Sequence, residues 1–178
     1  MGAKWDILGS DYLLKERWLT VRKDHVRMPS GVEMNDYYVL EYPDWINVVA
    51  ITEEGKFVIE RQYRHGTQSV EYELCAGIIE KGETPLAAAQ RELIEETGYS
   101  GGEWQLYCIS TPNPSAMTNV NYTFLATGVV DTGARHLEET EDIEILLLSY
   151  DELKTMVRDG RIREGLMLAP LWKYIAKN

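Results

Sequence analysis

Three glutamates carry the first chemical signal. Glu92, Glu95 and Glu96 stand at i, i+3 and i+4 within Arg91-Glu92-Leu93-Ile94-Glu95-Glu96-Thr97-Gly98-Tyr99. On a helix, that spacing projects all three side chains from one face. Like charges so placed destabilise a helix by about 0.2–0.5 kcal/mol per pair, so something has to compensate. Arg91 helps, though it leans to one side of the stripe. Hard divalent cations are the better partner, because clustered carboxylates are what magnesium and manganese prefer. Three glutamates are also what an ordinary solvated helix face looks like. The residues around them decide between the two readings.

The elements that must position this stripe are legible. Thr84 is a good N-cap, Pro85 suits the first helical position and Gly98 is placed to stop the helix, so a helix is predicted over 85–97. Leu86, Ala87, Ala88, Leu93 and Ile94 are left for its other faces. Residues 77–83 read as a strand end and a glycine-bearing loop. Upstream, strands are expected at 18–21, 26–28, 37–42, 45–51, 57–64 and 70–74, with turns at 29–31 and 53–56. Downstream, strands are expected at 105–110, 122–126 and 143–148, and helices at 150–159 and 164–176. Strands and helices mix without repeated βαβ units. The expected class is therefore α/β (α+β), a sandwich around a mixed sheet with an N-terminal antiparallel strand extension. One domain is expected over 1–178, with 1–45 as N-terminal strands and 46–178 as the core.

Composition narrows the partners. The 178 residues are 44% hydrophobic and 26% charged, ordinary for a globular chain. The formal net charge is −11, which argues against a general nucleic-acid binder. An acidic protein that binds a phosphate-rich ligand needs local arginines or divalent cations to reverse the field. Cys75 and Cys108 lie in no CxxC or Cys/His pattern, so neither a zinc motif nor a disulfide framework is expected. The first residues lack an apolar run and no stretch reaches transmembrane length. The expectation is a cytoplasmic protein without membrane or nucleic-acid partners.

The stripe belongs to a longer pattern: Gly77, five residues, Glu83, seven residues, then Arg91-Glu92-Leu93-Ile94-Glu95-Glu96-Thr97-Gly98-Tyr99. Seven fixed types, each at a background of about one in fifteen, coincide by chance less than roughly once in ten million starts. Every position matches the Nudix box, and the chain resembles the Nudix hydrolases. The resemblance implies a Nudix fold, an α/β/α sandwich around a mixed sheet with the box as loop-helix-loop. It implies hydrolysis of a nucleoside diphosphate linked to a further moiety. Carried onto this chain, it makes Glu92, Glu95, Glu96 and the Ala76 carbonyl metal ligands for Mg2+ or Mn2+, with two or more ions per site. Glu83 and Arg91 become residues that orient them, and Glu95 and Glu96 are placed in the catalytic set.

The flanks are similar to the ADP-ribose and ADP-sugar pyrophosphatases. Gln62-Tyr63-Arg64 and Glu73-Leu74-Cys75-Ala76-Gly77 look like their lead-in. The resemblance implies that Arg64 reaches substrate phosphates; a solvated strand-end arginine is the alternative. Glu73 binds a ribose or a cation-bound water, or is a turn residue. Trp18 stacks on the base or packs in the core, and Tyr37 is a possible second face; stacking on a base contributes about 1–3 kcal/mol. Trp45 is expected against the sheet. The acidic stretch 135–143 resembles a loop that supplies a general base, with Glu139 at the matching position and Glu138 and Glu141 as alternatives; a solvated acidic loop is the competing reading. One departure matters. Where relatives carry Pro-Gly and a downstream glutamate, this chain has Pro114-Ser115 and Asn119, which puts ADP-ribose itself in question and makes Asn119 a candidate substrate contact.

The leading expectation is hydrolysis of ADP-ribose or a related nucleoside diphosphate sugar to two monophosphates by a homodimer. Two others stay open: a Nudix hydrolase of another derivative, such as GDP-mannose or a dinucleoside polyphosphate, and a non-catalytic nucleotide sensor. Intact box glutamates count against the sensor.

Overall fold

The computed structural model describes residues 3–137, 139–140 and 142–178. It contains two compact units. The first holds β1 (Asp6–Glu16), β2 (Leu19–Arg27) and β3 (Glu33–Glu41), an antiparallel sheet in that order. The segment Thr111–Asn119 belongs to the same unit and runs along β3, with the Leu40 amide donating to the Ala116 carbonyl at 2.7 Å. The separate pieces expected at 18–21 and 26–28 are one strand, β2. The sequence reading did not foresee β1, because its apolar and polar residues do not alternate cleanly and every one of its residues is exposed.

The second unit carries β4 (Trp45–Thr52), β5 (Phe57–Arg64), β6 (Ser69–Glu73), β7 (Cys75–Ile78), helix α1 (Pro85–Glu92) with a π-helical turn Leu93–Thr97, β8 (Tyr99–Ser100), β9 (Glu103–Ser110), β10 (Asn121–Asp131), β11 (Ile143–Leu148), α2 (Tyr150–Arg158) and α3 (Gly165–Lys177). Its sheet runs β11-β5-β4-β10-β8, with β6 on β5, β7 on β4 and β9 on β10. In this sheet β4 and β10 pair in parallel while the other paired strands are antiparallel among the described residues, so the sheet is mixed, as expected.

Burial follows from strand periodicity. Along β4, Ile46, Val48 and Ala50 face α1, packing with Val58, Ala88, Ala89 and Leu93. Val49 and Ile51 face the other way, onto Leu153, Met156, Met167 and Leu171 of α2 and α3. A strand covered on both sides is largely apolar, and residues 46–51 are apolar except for the buried, hydrogen-bonded Asn47. The helices are cut at both ends by local chemistry. The Thr84 hydroxyl accepts from the Ala87 amide at 3.2 Å, and Gly98 takes φ +80° at the close of the π turn, a conformation that favours glycine. Ser149 and Glu152 form a capping box on α2. Among the described residues, no helix is long and apolar enough to cross a membrane.

β4 and β5 share only the pair Ile51↔Phe57 before they diverge. The gap is filled by one stretch of chain that changes partner: β6 pairs β5 with Glu60 opposite Glu73, and β7 pairs β4 with Asn47 opposite Ala76. This divergence positions the site described below.

Leu153 is wholly buried between α2 and the sheet. Leu153→Ala should cost about 2–5 kcal/mol, read as a shift in urea denaturation midpoint. A loss under about 1 kcal/mol would mean that this layer is not core.

Candidate functional site

Arg91 organises the carboxylates. Its guanidinium donates from Nε to Glu83 Oε1 at 3.0 Å and from Nη2 to Glu83 Oε2 and the Ile78 carbonyl, both at 3.1 Å. Its Nη1 lies 2.8 Å from Glu92 Oε1 and 3.1 Å from Glu95 Oε2. One planar fork with five donors therefore joins the loop, the end of β7 and the helix. Arg91 pulls the Glu83 carboxyl below its ordinary value, and the pairing with Glu83 in turn raises the guanidinium further above its own.

The expected common face of Glu92, Glu95 and Glu96 is modified by the π turn. An i→i+5 turn is wider than an α turn, so residues within it are displaced around the axis. Glu96 becomes buried at 6% exposure, while the Glu95 side chain remains 44% exposed beside Arg91. Glu92 lies flat on β7: a Cβ added at Gly77 would fall 2.1 Å from Glu92 Oε1. Glycine at this box position is therefore a requirement of close approach. Glu96 Oε2 accepts from the Ala76 amide at 3.3 Å.

Glu60 and Cys75, both missed by the sequence reading, face Glu96 from the sheet. Glu60 is 1% exposed, and its Oε1 receives no hydrogen bond from a donor group among the described residues. Burial, and then the neighbouring Glu96 carboxylate, raise the Glu60 carboxyl well above its ordinary value. Burial likewise raises the Cys75 thiol, again with Glu96 beside it. The available signal was a glutamate directly after the apolar run Phe57-Val58-Ile59, on the same strand face as the core residue Val58.

A cavity of about 700 Å³ opens beside these groups within the second unit. Arg64 and Glu73 stand in its wall with Ala76 and Gly77. Arg64 Nη2 lies 2.6 Å from Glu73 Oε2, and Gln62 donates to the same oxygen at 3.1 Å. Glu73, 3% exposed, is thus an ion-paired wall residue rather than a turn residue. Trp45, expected against the sheet, lines the cavity. So do Asn47 and Asn121, with Asn121 Nδ2 donating to Asn47 Oδ1 at 3.2 Å and Asn47 Nδ2 to the Leu166 carbonyl at 2.9 Å. Arg163, not foreseen, pairs with Glu71 on the cavity wall. It follows α2 in a turn that no sequence motif marks. Glu92, Glu95 and Glu96 are not among the lining residues; the cavity reaches the box through Ala76 and Gly77.

Other expected contacts are placed differently. Trp18 sits in the β1–β2 turn at 64% exposure, with the Arg17 guanidinium 4.4 Å from its ring centroid, so the core-packing reading does not hold. Tyr37 is half-buried; its hydroxyl donates to the Ser115 carbonyl and its ring meets that of Trp5 in a T-shaped contact at 6.0 Å. Asn119 is 2% exposed. Its amide has no hydrogen-bond partner among the described residues. Glu139 is an exposed turn residue; Glu138 and Glu141 lie outside the described residues. The start of this loop is fixed to the π turn, with the His136 amide donating to the Glu95 carbonyl at 2.9 Å and Arg135 Nε to the Glu96 carbonyl at 2.6 Å.

The donors suit a hard divalent cation. Glu92, Glu95 and Glu96 offer carboxylate oxygens around one turn, and the missing Cβ of Gly77 gives room for Glu92 to lie against the strand.

Known proteins share this chain's family signature and fold. The NUDIX domain model matches residues 42–167, and the model of the nucleoside diphosphate sugar hydrolase N-terminal domain matches residues 5–40. The chain is 29% identical to a methanol dehydrogenase activator of Bacillus methanolicus over 88% of this chain and 84% of that one. It is 29% identical to an ADP-ribose pyrophosphatase of Bacillus subtilis, covering 80% and 77%, and to a GDP-mannose pyrophosphatase of Pectobacterium atrosepticum, covering 86% and 85%. The crystal structure of an ADP compounds hydrolase superposes with a TM-score of 0.86 at 22% identity, over 99% of this chain and 95% of that one.

The Glu83–Arg91 contact has a definite pH signature. Arg91 holds the Glu83 carboxyl below its ordinary 4.5. Its contribution is therefore complete above that value and is lost as pH falls through the lowered one. Glu83→Gln should lower the melting temperature near neutrality, with the difference from the wild type closing as pH falls through the lowered value. A gap that stays constant into acid would mean that the ion pair is not the cause.

Proposed function

This chain belongs to the Nudix hydrolases and is a pyrophosphohydrolase of that family; from that premise, we propose that it splits the diphosphate linkage of ADP-ribose or a related nucleoside diphosphate sugar, with divalent cations, to give two monophosphates. The observation that carries this reading is the Arg91-centred carboxylate set lying one residue from a cavity walled by Arg64 and Glu73.

In this reading Glu92, Glu95, Glu96 and the Ala76 carbonyl hold Mg2+ or Mn2+. When bound, such ions neutralise diphosphate oxygens and favour in-line attack of water on phosphorus. The chain's own residues do the rest. Arg91 and Glu83 keep the ligating carboxylates aligned. Arg64, already oriented by Glu73, meets the phosphates with little further ordering. The cavity over Asn47 and Asn121 receives one end of the substrate. Glu139, on a loop fixed at its start to the π turn, is the candidate base that takes the proton from water. Trp18 offers a solvent-facing ring for a base.

The GDP-mannose reading keeps the same chemistry. It is favoured by the similarity to GDP-mannose pyrophosphatases and by the Pro114–Asn119 departure. We also assign the functional form as a homodimer through the first unit. β1 is an edge strand of 11 exposed residues, and Ile7, Leu13, Trp18 and Val32 are each more than half exposed. Such an edge is a template for pairing. Light scattering at the monomer mass of 20.4 kDa would overturn this.

The decisive assay is phosphate release, coupled to phosphatase, with Mg2+ or Mn2+ over ADP-ribose, GDP-mannose, other nucleotide sugars and diadenosine polyphosphates. AMP plus ribose 5-phosphate from ADP-ribose supports the leading reading, whereas GDP-mannose turnover alone supports the second. Glu92→Gln and Glu96→Gln should each cut turnover by orders of magnitude with the fold retained; a loss under about tenfold removes them from the cation site. Glu139→Gln should lower kcat more than it changes KM, and a neutral result would rule Glu139 out as the base.

A further inference from the structure

We propose that Glu60, Cys75 and Glu96 form a buried binding site for a borderline-soft divalent cation of the zinc or cobalt class, reaching into the sheet behind the carboxylate stripe. The three side chains come from β5, β7 and the π turn, far apart in sequence. One ligand atom of each lies within 4.8 Å of the other two. All three are nearly inaccessible, at 1%, 1% and 6% exposure. At a tetrahedral zinc ion, neighbouring oxygen and sulfur ligands stand about 3.6 Å apart, so modest side-chain rotation closes the set around an ion.

A second observation asks for a ligand. Glu60 Oε1 is buried and receives no hydrogen bond from a donor group among the described residues; the polar group beside its carboxyl is the like-charged Glu96. Such an atom is costly to retain in an apolar layer. Val58, two residues earlier on the same face, packs in the α1-side core, and an aliphatic residue at position 60 would continue that packing. The nearby arginine cannot serve as partner, because Arg64 is forked onto Glu73 through three hydrogen bonds. A cation accounts for all of these features together.

The donor set also chooses the ion. Magnesium takes near-octahedral oxygen ligation, whereas a thiolate beside two carboxylates suits zinc and cobalt. The site shares Glu96 with the proposed catalytic set but does not require hydrolysis, so the two readings fail separately.

The test is cobalt titration of chelator-treated protein. One equivalent of Co2+ should produce an intense near-ultraviolet thiolate-to-cobalt charge-transfer band. Zn2+ should displace it and Mg2+ should not. The band should survive Cys108→Ser and vanish in Cys75→Ser. As a variant that keeps the thiol, Glu60→Gln should weaken cobalt affinity at least tenfold. Absence of the band in the wild-type protein, its persistence in Cys75→Ser, or unchanged affinity in Glu60→Gln would overturn the site. Loss of the band in Glu95→Gln would instead assign it to the exposed carboxylates. Nucleotide-sugar hydrolysis with Mg2+, measured separately, reports on the proposed function whatever the cobalt result.

Discussion

The contact on which the site depends is the guanidinium of Arg91. Four acidic side chains crowd around one helical turn and its preceding loop. Left to themselves, they would repel and loosen both. Arg91 resolves this by touching Glu83, Glu92 and Glu95 while donating to the Ile78 carbonyl at the end of β7. A lysine could not do the same, since a single ammonium lacks the planar array of five donors. The price elsewhere is steric: Glu92 is drawn so close to β7 that position 77 admits only a hydrogen in place of a side chain. Arginine and glycine in this box are thus two halves of one constraint, fourteen positions apart in sequence and in contact through Glu92.

The divergence of β4 from β5 is the second determinant. A continuous hairpin would have closed the sheet there. Instead, the chain from Ser69 to Ile78 changes partner at Leu74, which tucks into the α2–α3 side of the core while Cys75 turns to the α1 side. That single alternation brings Glu73 opposite Glu60, sets Ala76 over Glu96 and leaves the cavity open between Arg64 and Asn47. The π turn acts in the same direction. By widening the helix at Leu93–Thr97, it sends Glu96 inward and leaves Glu95 near solvent. Wide turns of this kind are rare and concentrate at functional sites.

These features explain what the sequence could and could not reveal. Helix α1 was readable because its signals are local: the Thr84 cap, Pro85 at the first position and the Gly98 stop all act within a turn. The box was readable because its residues lie on one continuous stretch. Glu60 and Cys75 were not, since their meeting depends on strand register across β4, β5, β6 and β7, and no local pattern encodes register between distant strands. Arg163 is invisible for the same reason, because its partner Glu71 is ninety-two positions away. The burial of Asn119 is not local either: the Thr111–Asn119 segment pairs with β3, and Asn119 is 2% exposed. Trp18 was ambiguous between core and surface because a tryptophan beside a strand suits both. The tight β1–β2 turn sends it outward.

The charge balance then gains a mechanistic sense. A chain with net charge −11 is a poor receptor for a diphosphate. The arginines near the cavity do little to change this on their own, because Arg64 is paired with Glu73, Arg163 with Glu71 and Arg91 with Glu83. Each is oriented, and each is largely neutralised. On the proposed function, the positive potential needed to hold an anionic substrate would come from bound cations, while the arginines supply direction. Cation and diphosphate would then bind with positive coupling, each strengthening the other by the same factor. A site arranged in this way would discriminate against polyanions that lack a metal-chelating diphosphate.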